Sequence, residues 1–92
     1  MDPKFDAYIN RIIDKAIQGD LIKLWIRQSE QFKPFVASVD DTVFGMAFGY
    51  LVSAFGEGMR QAYGRNPTAG EWGEFAAVVA KRADEIKKAC MR

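Results

Sequence analysis

The fold of this chain is decided by residues 42–64, TVFGMAFGYLVSAFGEGMRQAYG. No charge interrupts the sequence between Asp41 and Glu57, and glycines recur among large apolar residues. At about 100° per residue, one straight stripe of a helix would be apolar. That stripe consists of Phe44, Phe48, Leu51, Phe55, Met59 and Ala62. We therefore predict a central helix that turns this stripe toward the core.

Small residues flank the predicted stripe on both sides. They are Gly45, Gly49 and Gly56 on one flank and Ala47, Ala54 and Gly58 on the other. An interior glycine destabilises a helix by roughly 1 kcal/mol relative to alanine. Several of them are therefore expected only where close packing offsets that loss of stability. The remaining face carries Met46, Tyr50 and Ser53. A helix that is apolar nearly all round is buried or meets a partner, and we expect Gly45, Met46, Gly49, Tyr50 and Ser53 to contact a second copy.

Two other structures compete for this stretch. Gly45 and Gly49 form a GxxxG pair of the kind that joins membrane helices, but a span needs about 20 apolar residues and this run is shorter. Alternation of large and small residues also fits a β-strand, which would pair with residues 35–39 across Asp40 and Asp41. The alternative fold is thus α+β, with a hairpin over residues 35–52. Helix is favoured because a lone hairpin is marginally stable and this turn lacks glycine.

Helix start and stop signals divide the rest of the chain. Asp2 and Pro3 suit a helix opening and Gly19 a helix end, while Pro34 stops the second helix. Thr68 and Glu71 match the capping box that opens a helix. Four helices are predicted at about 3–18, 20–33, 41–63 and 69–90. The inward stripe of the second consists of Leu21, Leu24, Trp25 and Phe32, widened by Ile22 and Ile26. The expected fold is all-α: one domain over residues 1–92, built as a bundle of three to four helices around the central glycine-rich helix.

Composition narrows the possible functions. The formal net charge is +1 and histidine is absent. The chain therefore lacks a strong field for attracting nucleic acid, and it lacks the usual general base and the commonest metal ligand. One cysteine, Cys90, cannot form an internal disulfide, and no leader pattern opens the sequence. We expect a cytoplasmic protein without a membrane span.

No residue pattern predicts catalysis, a cofactor or a metal site. Asp40 and Asp41 suit the start of a helix better than a cation, which needs six or more oxygen ligands. The loop AYGRNPTAG, residues 62–70, carries an arginine and glycines but lacks the spacing of phosphate-binding motifs. Cys90 lies near lysines, so the sequence leaves its reactivity open.

The function expected from these features is that of a small non-catalytic interaction module, regulatory or adaptor-like, which forms a homodimer and has an unidentified protein partner. A first alternative is a nucleic-acid-associated regulator that uses the basic last helix. Its phosphate contacts would be Lys81, Arg82, Lys87, Lys88 and Arg92. A second alternative is a carrier of a small apolar ligand, with a pocket formed by Phe44, Phe48, Trp25 and Trp72.

Overall fold

The computed structural model describes residues 3–91, and this part of the chain contains helices and no strand. The helices are α1 (Pro3–Gln18), α2 (Leu21–Glu30), α3 (Val39–Tyr63), α4 (Ala69–Lys81) and α5 (Ala83–Cys90), with a 3₁₀ turn at Lys33–Phe35. The all-α prediction is confirmed. The alternative hairpin over residues 35–52 is wrong, because the 3₁₀ turn and the first half of α3 occupy those residues.

The described residues form five helices, more than the three to four predicted, because the segment 69–90 is broken. Arg82 interrupts it, with φ at −109° and ψ at 11°. Its guanidinium donates to the carbonyl oxygen of Asn10 at 3.2 Å and lies 2.7 Å from a carboxylate oxygen of Asp14. These contacts with α1 hold the break in place. The sequence has no glycine or proline at this position that would predict the break.

The ends of α2 and α3 also differ from prediction. α2 stops at Glu30 rather than residue 33, since the amide of Phe32 bonds the carbonyl of Ser29 in a tighter turn. α3 begins at Val39 rather than residue 41 because Ser38 caps it, accepting a hydrogen bond from the Asp41 amide at 3.1 Å. At its other end Gly64 adopts the left-handed conformation, with φ at 66°, which suits glycine.

The start of α4 confirms the predicted capping box. The Thr68 hydroxyl accepts from the Glu71 amide at 3.2 Å, and the Glu71 carboxylate accepts from the Thr68 amide at 2.8 Å. Both exchanges satisfy amides that a helix start leaves without partners. The cap predicted at Asp2 lies outside the described residues.

The buried line of α3 follows the predicted stripe only in the second half of the helix, through Leu51, Phe55 and Met59. It advances four residues at a time, through Val39, Val43, Ala47, Leu51, Phe55 and Met59. Because a helix turn takes 3.6 residues, such a line drifts around the helix. Ala47 is consequently buried, whereas Phe48, predicted in the core, is 39% exposed and Ala62 is exposed.

Neighbouring helices cover different parts of α3. α1, α2 and α5 all pack against it, and α4 reaches it through aromatic side chains. The Phe55 ring stacks on Phe75 with centroids 4.7 Å apart, and it lies 5.2 Å from the Trp72 ring and 5.4 Å from Phe5. This aromatic cluster fills the core beside the second half of α3. No helix in residues 3–91 is long and apolar enough to cross a membrane.

Candidate interaction surface

One face of α3 remains open to solvent. Gly45, Gly49 and Ser53 recur every fourth residue and are all exposed, with exposed Phe48 and half-buried Val52 beside them. We call these five residues the open face of α3. It lies within the uncharged run between Asp41 and Glu57. Contiguous exposed apolar surface marks candidate contact sites, and Phe48 and Val52 are one helical turn apart on this face.

The two glycines of the open face have empty space above them. Within residues 3–91, a Cβ atom built on Gly45 or on Gly49 would have no heavy atom from a neighbouring element within 4 Å. Both glycines lie inside the helix with negative φ, because Gly64 alone among the described residues has a positive φ. Neither close packing nor backbone conformation within the chain therefore requires glycine at these positions.

Met46 and Tyr50, the other two predicted contact residues, lie at the edge of the open face and pack against α2. The Ser29 hydroxyl donates to the Met46 sulfur at 3.3 Å, and the Tyr50 ring lies 5.6 Å from the Trp25 ring. Met46 is half-buried and Tyr50 is 37% exposed. The predicted set thus divides into three residues that face solvent and two that also serve packing within the chain.

A second exposed apolar surface follows α2, and the sequence analysis missed it. Phe35 is 84% exposed and Phe32 is 52% exposed, and they flank Lys33 and Pro34. We call residues 32–35 the aromatic turn. Leu21 and Leu24 are each 39% exposed as well, so the prediction that these two residues and Phe32 face inward is wrong. Ile22, which was predicted to widen the inward stripe of α2 together with Ile26, is buried, and Trp25 and Ile26 are half-buried, so this side of the predicted stripe does face inward.

The basic residues predicted to contact nucleic acid are partly engaged by acids. Arg82 binds Asp14 and Glu85, which raises the pKa of its guanidinium, with Glu85 the larger cause. Lys87 pairs with Asp41 and thereby lowers the pKa of that carboxyl group. Lys81 and Lys88 are exposed, but they lie on the two helices that the break at Arg82 separates. Arg92 lies outside the described residues.

Other candidate chemistry finds little support in the geometry. The described residues contain no cluster of three or more side chains suited to a metal ion. Cys90 is buried, and burial raises the pKa of its thiol above the usual range, which disfavours the reactive thiolate.

The arginine of the loop over residues 62–70, Arg65, is already paired with a carboxylate. Glu71 binds both terminal nitrogens of Arg65, at 2.8 and 3.1 Å. This pairing, together with the Thr68 amide, lowers the pKa of Glu71 to about 2. A phosphate would have to compete with that carboxylate for the same guanidinium.

The side chains proposed for an apolar carrier are brought together only in part, because Phe48 and Trp72 both lie beside the Phe75 ring while Trp25 lies elsewhere. Trp25 packs against Tyr50, whereas Trp72 packs against Phe55 and Phe75. A small pocket of about 130 Å³ lies between the start of α1 and the end of α3. It is lined by Lys4, Phe5, Tyr8, Gly58, Met59, Ala62 and Tyr63, none of which belongs to the predicted set.

No known protein family, characterised protein or solved structure matches this chain. A function must therefore be inferred from the surfaces that the chain itself presents. Among these surfaces, the open face of α3 is exposed, carries no charged residue and contains two glycines with open space above them.

Proposed function

We propose that the protein is a small non-catalytic interaction module that forms a homodimer through the open face of α3. The observation that carries the proposal is the empty space above Gly45 and Gly49 in the middle of an α-helix. Alanine would fit at both positions and would favour the helix by about 1 kcal/mol each. A contact that needs close approach to the helix backbone gives a reason for glycine there.

The neighbouring side chains support the same role. Phe48 is 39% exposed and Tyr50 is 37% exposed, so a partner on the open face would bury apolar surface on both sides of the glycines. Ser53 continues the line of small residues and can hydrogen-bond across a contact. In a twofold dimer the same patch serves both copies, so a single self-complementary surface suffices.

The proposal extends to a regulatory or adaptor-like role with a further protein partner. The absence of histidine from the sequence supports a non-catalytic protein, because histidine is the usual acid–base group near neutral pH. A reducing compartment such as the cytoplasm suits a chain with a single cysteine.

Replacing the two glycines tests the proposal through effects of opposite sign. The double variant Gly45→Ala with Gly49→Ala should raise the stability of the monomer by about 1–2 kcal/mol, because alanine favours a helix. The same variant should weaken dimerisation, and Gly49→Leu should weaken it further by blocking close approach. Urea unfolding at low protein concentration measures the first effect, and sedimentation equilibrium measures the second.

Gly73→Ala is the matched control. Gly73 is an exposed glycine inside α4 and also has open space at its Cβ position. This variant should gain stability and leave the dimerisation constant unchanged. A wild-type protein that stays monomeric at hundreds of micromolar would contradict the proposal. If Gly73→Ala weakened the dimer and Gly49→Leu did not, the dimer contact would lie on α4 and not on α3.

Substituting Met46 by lysine is a less direct test. The Met46 sulfur accepts the hydrogen bond of Ser29, which is buried. Losing that partner would disturb α2 and α3 within one chain. A change in association could then follow from altered packing, whereas Gly49 has no side chain whose contacts would be lost.

A further inference from the structure

A second cavity lies between α1 and α3, beside two basic residues of α1. Its volume is about 230 Å³. It is lined by Tyr8, Arg11, Ile12, Lys15, Tyr50 and Ala54. The four α1 residues recur at the spacing of one helix face, and the two α3 residues are four apart, so one face of each helix forms the cavity. We propose that it binds a small organic phosphate, with the phosphate group on Arg11 and Lys15 and a single ring between the two tyrosines.

The positive charges at this cavity are not neutralised within the chain. Arg11 and Lys15 are exposed and lie about one helical turn apart. Among residues 3–91, neither of them forms an ion pair with a carboxylate. Asp14, which is next to Lys15 in the sequence, binds Arg82 instead. Like charges at this spacing destabilise a helix slightly, and a bound anion would relieve that repulsion.

The number and type of these cations favour a phosphate monoester over a carboxylate. A phosphate monoester carries about 1.5 to 2 negative charges at pH 7, which matches two cations. The planar guanidinium of Arg11 can bind two phosphate oxygens at once. The ammonium of Lys15 adds a compact charge with donors that can turn toward a further oxygen.

The rest of the cavity is largely apolar and limits the size of the ligand. Ile12 is buried and Ala54 is half-buried, so they form its inner part. A cavity of about 150 Å³ holds benzene, whereas pockets for drug-sized ligands begin at roughly 300 Å³. The volume of about 230 Å³ therefore fits one ring with one phosphate group attached.

Both tyrosines are held in place by contacts with other residues. The Tyr8 hydroxyl donates to the carbonyl oxygen of Ala54 at 3.5 Å. The same hydroxyl lies directly over Gly58, where a Cβ atom would come within 1.5 Å of it. The Tyr50 ring lies 5.6 Å from the Trp25 ring. A cavity whose walls are already positioned loses little conformational freedom on binding, which favours affinity.

This inference goes beyond the proposed dimer and does not depend on it. Four of the six lining residues belong to α1, and none belongs to the open face of α3. Tyr50 does lie at the edge of that face, so the experiment must separate ligand binding from self-association. The variant Gly49→Leu serves this purpose, because it blocks the open face and leaves every residue of the cavity unchanged.

Titration with phenyl phosphate, followed by NMR shifts of the backbone amides, tests the inference. The wild-type chain should bind with a Kd of about 1 mM or tighter, and the shifted amides should cluster around Ile12 in α1 and Ala54 in α3. Inorganic phosphate lacks the ring and phenol lacks the phosphate group. Each of them should bind at least about tenfold more weakly than phenyl phosphate.

A charge-removing variant and a matched control sharpen the test. Arg11→Gln combined with Lys15→Gln should weaken phenyl phosphate binding by about tenfold or more, because the charged hydrogen bonds to phosphate are lost. Lys23→Gln combined with Arg27→Gln is the control. It removes two exposed cations of α2 at the same spacing, which do not line this cavity, and it should leave the Kd unchanged. Circular dichroism should show equal helix content in both variants.

Several results would overturn the inference and leave the proposed dimer standing. These are the absence of saturable phenyl phosphate binding, an equal affinity for inorganic phosphate, and an equal loss of binding in the α2 control. The last two would show general attraction to surface charge without use of the cavity. Gly49→Leu should bind phenyl phosphate as the wild type does, and loss of binding in that variant would contradict a site formed within one chain.

Discussion

The two halves of α3 both contain glycines and phenylalanines, but the surroundings of these residues differ between the halves. In the second half, a Cβ on Gly58 would lie 1.5 Å from the Tyr8 hydroxyl oxygen, and one on Gly56 would lie 3.7 Å from the Trp72 ring. In the first half, Gly45 and Gly49 have open space. Helices of the same chain therefore cover the second pair, while solvent covers the first. A glycine pattern in a sequence does not distinguish these cases.

The aromatic residues of α3 show the same contrast. Phe55 is fully buried and contacts rings from α1 and α4. Phe48, two helical turns earlier, is 39% exposed, with its ring 6.2 Å from Phe75. The chain thus completes its core around the second half of the helix. In the first half, no other helix of residues 3–91 packs over the open face.

The largest effect should come from truncating the two phenylalanines. Phe55→Ala should lower the free energy of unfolding by about 3–5 kcal/mol, since it removes a fully buried ring. Phe48→Ala should cost the monomer only about 1–2 kcal/mol, because much of that ring is already in water. Urea unfolding at low protein concentration measures both values. Equal costs would contradict the contrast between the two halves.

The two kinds of glycine should respond to alanine with opposite signs. Gly58→Ala should destabilise the monomer by about 1–3 kcal/mol, because Tyr8 must leave its place. Gly49→Ala should stabilise it by about 0.5–1 kcal/mol. Combining Gly58→Ala with Tyr8→Ala gives a double-mutant cycle, in which the two costs should add to more than the measured total. Simple additivity would show that the clash is not the cause.

Loss of the Ser38 cap should affect the first half of α3 alone. Ser38→Ala should cost about 1 kcal/mol, because the Asp41 amide loses its acceptor. Hydrogen exchange should then quicken in the first turns of α3, with no local change near Phe55. Ser53→Ala, measured at a protein concentration low enough to keep the chain monomeric, is a matched control, since Ser53 is exposed inside the same helix and away from its start. Uniform acceleration along α3 would mean that the helix opens as one unit.

The smallest effect concerns pH at the loop that precedes α4. The pKa of Glu71 is lowered from 4.5 to about 2 by Arg65 and the Thr68 amide. Its stabilising contribution is therefore complete above about pH 4.5 and is lost as the pH falls through about 2. Glu71→Gln should flatten the fall in stability over this range. Thermal unfolding at several pH values measures it, and identical profiles for both proteins would disprove the assignment.

Much of the fold could be predicted because local signals agree with it. Gly64 and the pair Thr68 and Glu71 mark real helix boundaries by their own backbone chemistry. The break at Arg82 carries no such signal, since Lys81, Arg82 and Ala83 all suit a helix. Its cause is a set of contacts with Asn10 and Asp14, which lie far away in the sequence. Tertiary contacts of this kind cannot be deduced from local pattern.

The candidate surface was predictable in part for a similar reason. The uncharged run and its small residues predicted that α3 meets a partner, and three residues of the predicted set, Gly45, Gly49 and Ser53, are exposed in the structure. The run could not show which face remains uncovered, because the buried line drifts around the helix through Val43 and Ala47. Exposure of Phe35 depends likewise on how the turn after α2 is placed.

The bond between Arg82 and Asn10 also has a consequence for how the chain is made. A ribosome delivers α1 first, yet the partners that bury its inner face include α4 and α5 as well as α3. While those last helices are still being synthesised, the apolar side of α1, with Ile9 and Ile13, has only part of its cover. Until α4 and α5 have left the ribosome, these core residues of α1 therefore keep part of their surface exposed, which is the state of a nascent chain on which chaperones act.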